Sequence, residues 1–165
     1  MARLTKLGPQ GSRRLFNLWP PFLFSGIRVL RIAPDWSSVR VRLRRHWFTG
    51  NFVGTHFGGS LFAMVDPFCM IPLIHRLGPD YLVWDQAASI EFIKATRQDV
   101  FADFVLDDAT LDAIRAATAS GDKHLHWFEI EVKTAEGIRI AHVRKQLYVR
   151  LKPEHRPDNQ AAKNI

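Results

Sequence analysis

Residues 60–77, SLFAMVDPFCMIPLIHRL, have the length of a helix and are apolar on nearly every side. A helix of that kind has no face to give to water, so the rest of the chain must enclose it. Two prolines modify the expectation. Pro67 and Pro72 each lack an amide hydrogen and crowd the carbonyl four residues back. This predicts a kinked helix in which the carbonyls of Ala63 and Phe68 lose their usual partners.

The flanking sequence supplies strands for the enclosure. Residues 39–47 (VRVRLRRHW) alternate, with Val39, Val41, Leu43 and Trp47 on one face and Arg40, Arg42, Arg44 and His46 on the other, as in a half-buried strand. A glycine-rich turn over 49–59 leads into the helix. Beyond Gly78 and Pro79, residues 81–94 and 99–106 read as strands joined by a turn at 95–98. The second alternates through Val100, Ala102, Phe104 and Leu106. Residues 107–120 read as a surface helix, with Asp108 or Thr110 as its cap, Leu111, Ile114 and Ala117 as its apolar stripe, and Gly121 at its end. Two long strands follow, 124–133 with Phe128, Ile130 and Val132 on one face, and 138–151. A mostly antiparallel sheet curled about a buried helix satisfies this order, which is an α+β fold.

At 165 residues the chain makes one domain. Residues 1–35 are expected to form an N-terminal arm or helix packed on it, 36–151 the domain itself, and 152–165 a polar, disordered tail. Residues 13–31 place arginines ahead of an apolar run as a secretory signal does, but Pro20 and Pro21 interrupt the run and no small-residue cleavage site follows. The expected role is packing on the domain, and the alternative is a membrane-surface foot of Phe16, Trp19, Phe22 and Phe24 beside arginines. A lone cysteine, Cys69, within an apolar run fits a reducing compartment, so cytoplasm is the expected address.

The net charge of +7 favours anionic partners, among them nucleic acid, acidic lipid and coenzyme A. Arg40, Arg42 and Arg44 make a basic ridge without a recognised nucleic-acid-binding motif, so specific nucleic-acid binding is not expected. The histidines are dispersed, none with cysteine or carboxylate partners at zinc-ligand spacing, and no metal site is expected. Residues 54–59 lack the lysine and spacing of a phosphate loop.

The sequence becomes specific at 51–66, NFVGTHFGGSLFAMVD. It resembles the hotdog-fold thioesterases of the phenylacetyl-CoA type, whose pattern is an Asn, then Gly-Thr, then His-Gly-Gly opening the central helix, and an Asp on that helix. Asn51, Gly54, Thr55, Gly58, Gly59 and Asp66 match in register. Residues 88–95 (ASIEFIKA) resemble the strand after the helix, with Ser89 in the place of the family's Ser or Thr. More closely still the chain resembles a hotdog family known only as a domain of unknown function, sharing Trp19-Pro20-Pro21 and Asp66-Pro67, and this likeness covers roughly 13–151. One departure is that Phe57 stands where the family has His, with His56 one residue earlier. The resemblance implies a hotdog fold, a curved sheet wrapped around a long central helix, and hydrolysis of acyl-CoA-like thioesters.

The residues suit that chemistry. Gly58 and Gly59 open a helix with unpaired amides and no side chain to block approach, and one donor aimed at a developing oxyanion contributes about 3 to 4 kcal/mol. Asp66 is a carboxylate in an apolar segment, costly there unless solvated or used. It is the candidate nucleophile or general base, with Asn51, His56 and Ser89 completing the catalytic set. Thr55, Gly59, Lys94 and Arg97 are candidates for binding substrate, and Arg144 or Lys145 for meeting the phosphates of coenzyme A. No cofactor is expected beyond coenzyme A as part of the substrate. The alternatives are a non-catalytic hotdog protein that binds acyl thioesters and a hotdog dehydratase-like protein.

Spacing adds a homodimer or a dimer of dimers. Asp66 lies eight residues beyond Gly58, about 12 Å along a helix, so one thioester carbonyl cannot reach both in one chain. Two antiparallel copies in a two-fold dimer would bring each Asp66 to the other chain's Gly58.

Overall fold

Residues 7–157 are described in the computed structural model, and the ends of the expected arm and tail, 1–6 and 158–165, lie outside them. Two short helices come first, α1 (Pro9–Leu18) and α2 (Pro20–Ser25). Both open on proline, which is pre-set for a first turn and has no amide to leave unpaired there. Gly26, at φ +80°, turns the chain from α2 into strand β1 (Ile27–Ile32). A Cβ at this glycine would stand 2.8 Å from the Arg44 carbonyl oxygen. Asn17 ties α1 to β1, accepting from the Val29 amide at 2.7 Å and donating to the Val29 carbonyl at 3.0 Å. Phe16 and Phe22 pack on Phe68, so two of the four aromatics weighed as a membrane foot belong to the interior. Trp19 and Phe24 stay exposed. Among the described residues no helix is long and apolar enough to cross a membrane.

The remaining strands are β2 (Ser38–Leu43), β3 (Tyr81–Phe92), β4 (Val100–Val105), β5 (His124–Thr134) and β6 (Arg139–Leu151). They form one sheet in the order β1-β2-β4-β5-β6-β3, antiparallel at every pairing. β1 was not among the expected strands. A register shift between Val29 and Arg31 makes Leu30 an extra residue, so the inward residues Ile27, Val29 and Ile32 lose period two. β2 is shorter than expected. Its ladder stops at Leu43 because the Arg45 amide donates to the Asp99 carboxylate at 2.8 Å, and Trp47, expected on the inner face, is 90% exposed in the turn beyond.

The apolar segment is not one long kinked helix but two short ones, α3 (Gly58–Ala63) and α4 (Met70–Leu77), separated by turns over 64–69. The two prolines act differently. Pro67 cannot donate to Ala63, whose carbonyl instead accepts from Asp66 one residue earlier, at 3.3 Å. Pro72 falls in the first turn of α4, where an amide would be unpaired anyway. The break stays inside the molecule: Met64, Val65 and Phe68 are buried with Val41, Val100, Val143 and Leu147 of the curved sheet. The result is the expected α+β hotdog arrangement, a largely antiparallel six-stranded sheet around a central helical segment.

Helix α5 (Asp108–Thr118) is capped by Asp107, which accepts from the Thr110 amide at 2.8 Å, rather than by Asp108 or Thr110. Its buried stripe is Leu111, Ile114 and Thr118. Thr118 replaces the expected Ala117 because its hydroxyl donates to the Ile114 carbonyl and so can be buried. The segment expected to be a disordered tail begins with a 3-10 turn, Pro153–His155, beside which His155 pairs with Asp80 at 3.2 Å.

The two sheet edges differ. β1 is short, bulged, and packed against by α1 and α2. β3 is twelve residues long and also irregular, with a register shift between Asp85 and Ala87, but Trp84 to Ser89 are exposed in an unbroken run.

Candidate active site

The loop before α3 is held by Asn51. Its carboxamide oxygen accepts from the amides of Val53 and Thr55, and its nitrogen donates to the Thr55 hydroxyl at 2.9 Å and the His56 carbonyl at 3.1 Å. All four hydrogen-bonding positions of the side chain therefore serve the loop. Asn51 thereby fixes the shape of the loop that leads into α3.

That loop, the start of α3 and the end of β3 enclose a pocket of about 290 Å³. Asn51, Thr55, His56, Gly58 and Lys94 line it, five of the eleven residues named as site candidates. Leu61, Phe92, Ile93 and Ile140 give it an apolar wall. The lining is about evenly divided between polar side chains, among them the Lys94 cation, and apolar ones.

His56 is 4% exposed. Its Nε2 lies 2.7 Å from the Gln98 carbonyl oxygen, which can only accept, so Nε2 carries the proton and Nδ1 a lone pair. Nδ1 is buried without a partner among the described residues. Burial holds the imidazole below its ordinary value, offset by the Gln98 hydrogen bond and reinforced by the nearby Arg45 charge. The one-residue displacement of His56 therefore leaves the ring in the pocket wall, as a neutral group anchored from behind.

Gly58 and Gly59 open α3, and among the described residues their amides meet no backbone acceptor. A Cβ at Gly58 would fall 2.9 Å from the Phe92 ring, and one at Gly59 2.4 Å from the Phe57 ring. Gly59 is not part of the pocket lining.

Asp66 lies elsewhere, in the break between α3 and α4. Its side chain is 63% exposed rather than enclosed by the apolar segment. Oδ1 accepts from Lys145 of β6 at 2.6 Å, and Lys145 also donates to the Asp66 backbone carbonyl and pairs with Asp85 of β3 at 3.1 Å. Lys145 is separated from Ile140, which lines the pocket, by five residues of β6, about 16 Å of strand. Ser89 is on the exposed run of β3, opposite Arg144, and Arg97 flanks Gly54; neither lines the pocket. Cys69 beside this cluster is inert, its thiol pushed up to about 12 by burial.

Lys145, a candidate for meeting the phosphates of coenzyme A, is 1% exposed and held by Asp66 and Asp85, which excludes that role. Position rather than residue type is what marks it: Ala141, Val143, Lys145, Leu147 and Val149 form the inward row of β6. Asp85 lies in the exposed run of β3 but turns its carboxylate toward the buried Lys145, where partial burial raises it above its ordinary value; nothing in the sequence marks it. The basic ridge is also less bare than its sequence implies, since Arg40 and Arg42 pair with Asp103 and Asp99 at 3.7 and 3.8 Å.

The model of a family described as Domain of unknown function (DUF4442) matches residues 10–149. No curated protein matches. Among solved structures, the chain is similar to a Pseudomonas aeruginosa protein described as of unknown function and a probable thioesterase. Identity is 17% and the TM-score 0.74, with 85% of this chain and 93% of that one covered. It is similar to a thioesterase from Haemophilus influenzae at 14% identity and TM-score 0.64, covering 91% and 95%. A third likeness is to a hypothetical thioesterase from Streptococcus pneumoniae with coenzyme A, at 14% identity and TM-score 0.56, covering 84% and 97%. At these identities the likeness is one of fold.

Proposed function

The chain belongs to the DUF4442 family, and from that starting point we propose that it hydrolyses an acyl-CoA-like thioester to a free acid and a thiol. The observation that carries the reading is convergence: Asn51, Thr55 and Gly58, which match the thioesterase pattern, line one pocket with His56 and Lys94 and with an apolar wall. Solved folds of the same kind include proteins described as thioesterases, one with coenzyme A.

In this reading the acyl group lies along Leu61, Phe92, Ile93 and Ile140, and the thioester oxygen takes the Gly58 amide. Asp66 acts as general base. Its carboxylate removes a proton from water, the water oxygen bonds to the carbonyl carbon, and the tetrahedral intermediate collapses by breaking the C–S bond. The proton passes to the departing sulfur. Lys94, at the pocket, faces the phosphates of coenzyme A. Asp66 and the pocket belong to different chains of a homodimer, which forms through the unpaired edge of β3.

The test is thiol release from acetyl-, hexanoyl-, palmitoyl- and phenylacetyl-CoA. Hydrolysis of at least one is expected, and folded Asp66→Asn should lower kcat by about 100-fold or more while leaving binding of an inert thioether analogue unchanged. Analogue binding without turnover of any thioester would make the chain a binding protein. A near-wild-type kcat in Asp66→Asn would remove Asp66 from the mechanism.

A further inference from the structure

The inference rests on the reading of Asp66 as base and concerns what holds it in place. Lys145 puts an ammonium, 1% exposed, into the inward row of β6 among Val143, Leu147 and Val149. Burying a cation is strongly unfavourable unless its charge and each of its donors are met. An ammonium has three N–H donors, and three acceptors meet this one: Asp66 Oδ1 at 2.6 Å, Asp85 Oδ1 at 3.1 Å and the Asp66 backbone carbonyl. No donor remains for a substrate. Two of the three contacts grip the same residue, by main chain and by side chain, at the point where the break between α3 and α4 takes it out of helical geometry.

We propose that Lys145 is the positioning residue of the Asp66 carboxylate. With Oδ1 and the carbonyl tied to one buried ammonium, the side chain keeps a single rotamer and Oδ2 points to the water it deprotonates. Asp85 completes the device. When Asp66 takes up the water's proton and becomes neutral, the Asp85 carboxylate remains as counter-charge, so turnover does not leave an uncompensated cation in the core.

The experiment compares Lys145→Met, Lys145→Arg and Asp66→Asn, each confirmed folded, on whichever of the four thioesters the wild type hydrolyses fastest. Lys145→Met should lower kcat by about 10- to 100-fold with KM within about threefold, and Lys145→Arg should recover part of that loss. Asp66→Asn at wild-type kcat overturns the base reading itself. Impaired Asp66→Asn beside wild-type kcat in Lys145→Met overturns the positioning role alone, as does a Lys145→Met effect confined to KM. A second measurement covers a Lys145→Met chain that fails to fold. In 15N spectra of wild-type protein, Lys145 should give an exchange-protected ammonium resonance, identified by its absence in Lys145→Arg and lost in Asp66→Ala. No protected resonance, or one indifferent to Asp66→Ala, overturns the clamp.

Discussion

Three histidines carry a pH dependence. Burial holds the imidazoles of His56, His75 and His126 below their ordinary value, so the unfolded chain binds these protons more readily than the folded one. The stability they contribute is complete above the ordinary histidine value, about 6.5, and is lost as pH falls from there through their lowered folded values. Asp85 acts in the opposite sense, its raised carboxyl giving stability that is lost as pH rises. Urea midpoints should therefore fall between about pH 7.5 and about pH 5.5, and fall less in His56→Gln. An unchanged difference in His56→Gln would show that this ring is not held neutral. The pocket residues were legible in sequence because they crowd into 51–59 and 94, where a compact pattern fixes several roles together. The anchor of Asp66 was not. Lys145 was judged by its charge, whereas its place in the row Ala141, Val143, Lys145, Leu147 and Val149 determines that it points inward.

Elements were legible where period and geometry coincide. β2, β4 and β5 keep clean inward rows, and the sequence shows them. β1 hides its row behind the bulge at Leu30, and the central helix divides because Pro67 breaks a ladder whereas Pro72 only opens one. The turn between α2 and β1 makes a sharp test of local geometry. Gly26 and Gly137 have nearly the same φ, +80° and +83°, but only at Gly26 would a Cβ press on backbone, 2.8 Å from the Arg44 oxygen. Gly137→Ala should cost about 1 to 2 kcal/mol for the left-handed backbone alone. Gly26→Ala should cost more, by about 1 kcal/mol or beyond, because the turn must also shift. Equal losses by urea denaturation would show that the Arg44 carbonyl yields freely.

At the scale of the molecule, the spacing of Gly58 and Asp66 bears on how many chains build one site. The helix-based spacing does not hold because the helix is broken; what sets Asp66 apart from the pocket is the run of β6 between Lys145, which binds Asp66, and Ile140, which lines the pocket. A divided site predicts complementation. Gly58→Pro removes the amide at a position that tolerates proline, the first residue of α3 behind an extended Phe57, with only the exposed Phe92 ring to move aside. Mixed with Asp66→Ala, after exchange of subunits is verified, it should restore one intact site per mixed dimer and measurable hydrolysis. Mixtures as inactive as their parents would place the whole site in one chain. The open edge of β3 then sets more than architecture. If two edges must meet before a substrate finds both halves of its site, the proposed hydrolysis grows faster than the number of chains, and dilution alone silences it. Abundance itself becomes the control, with no effector, modification or inhibitor required.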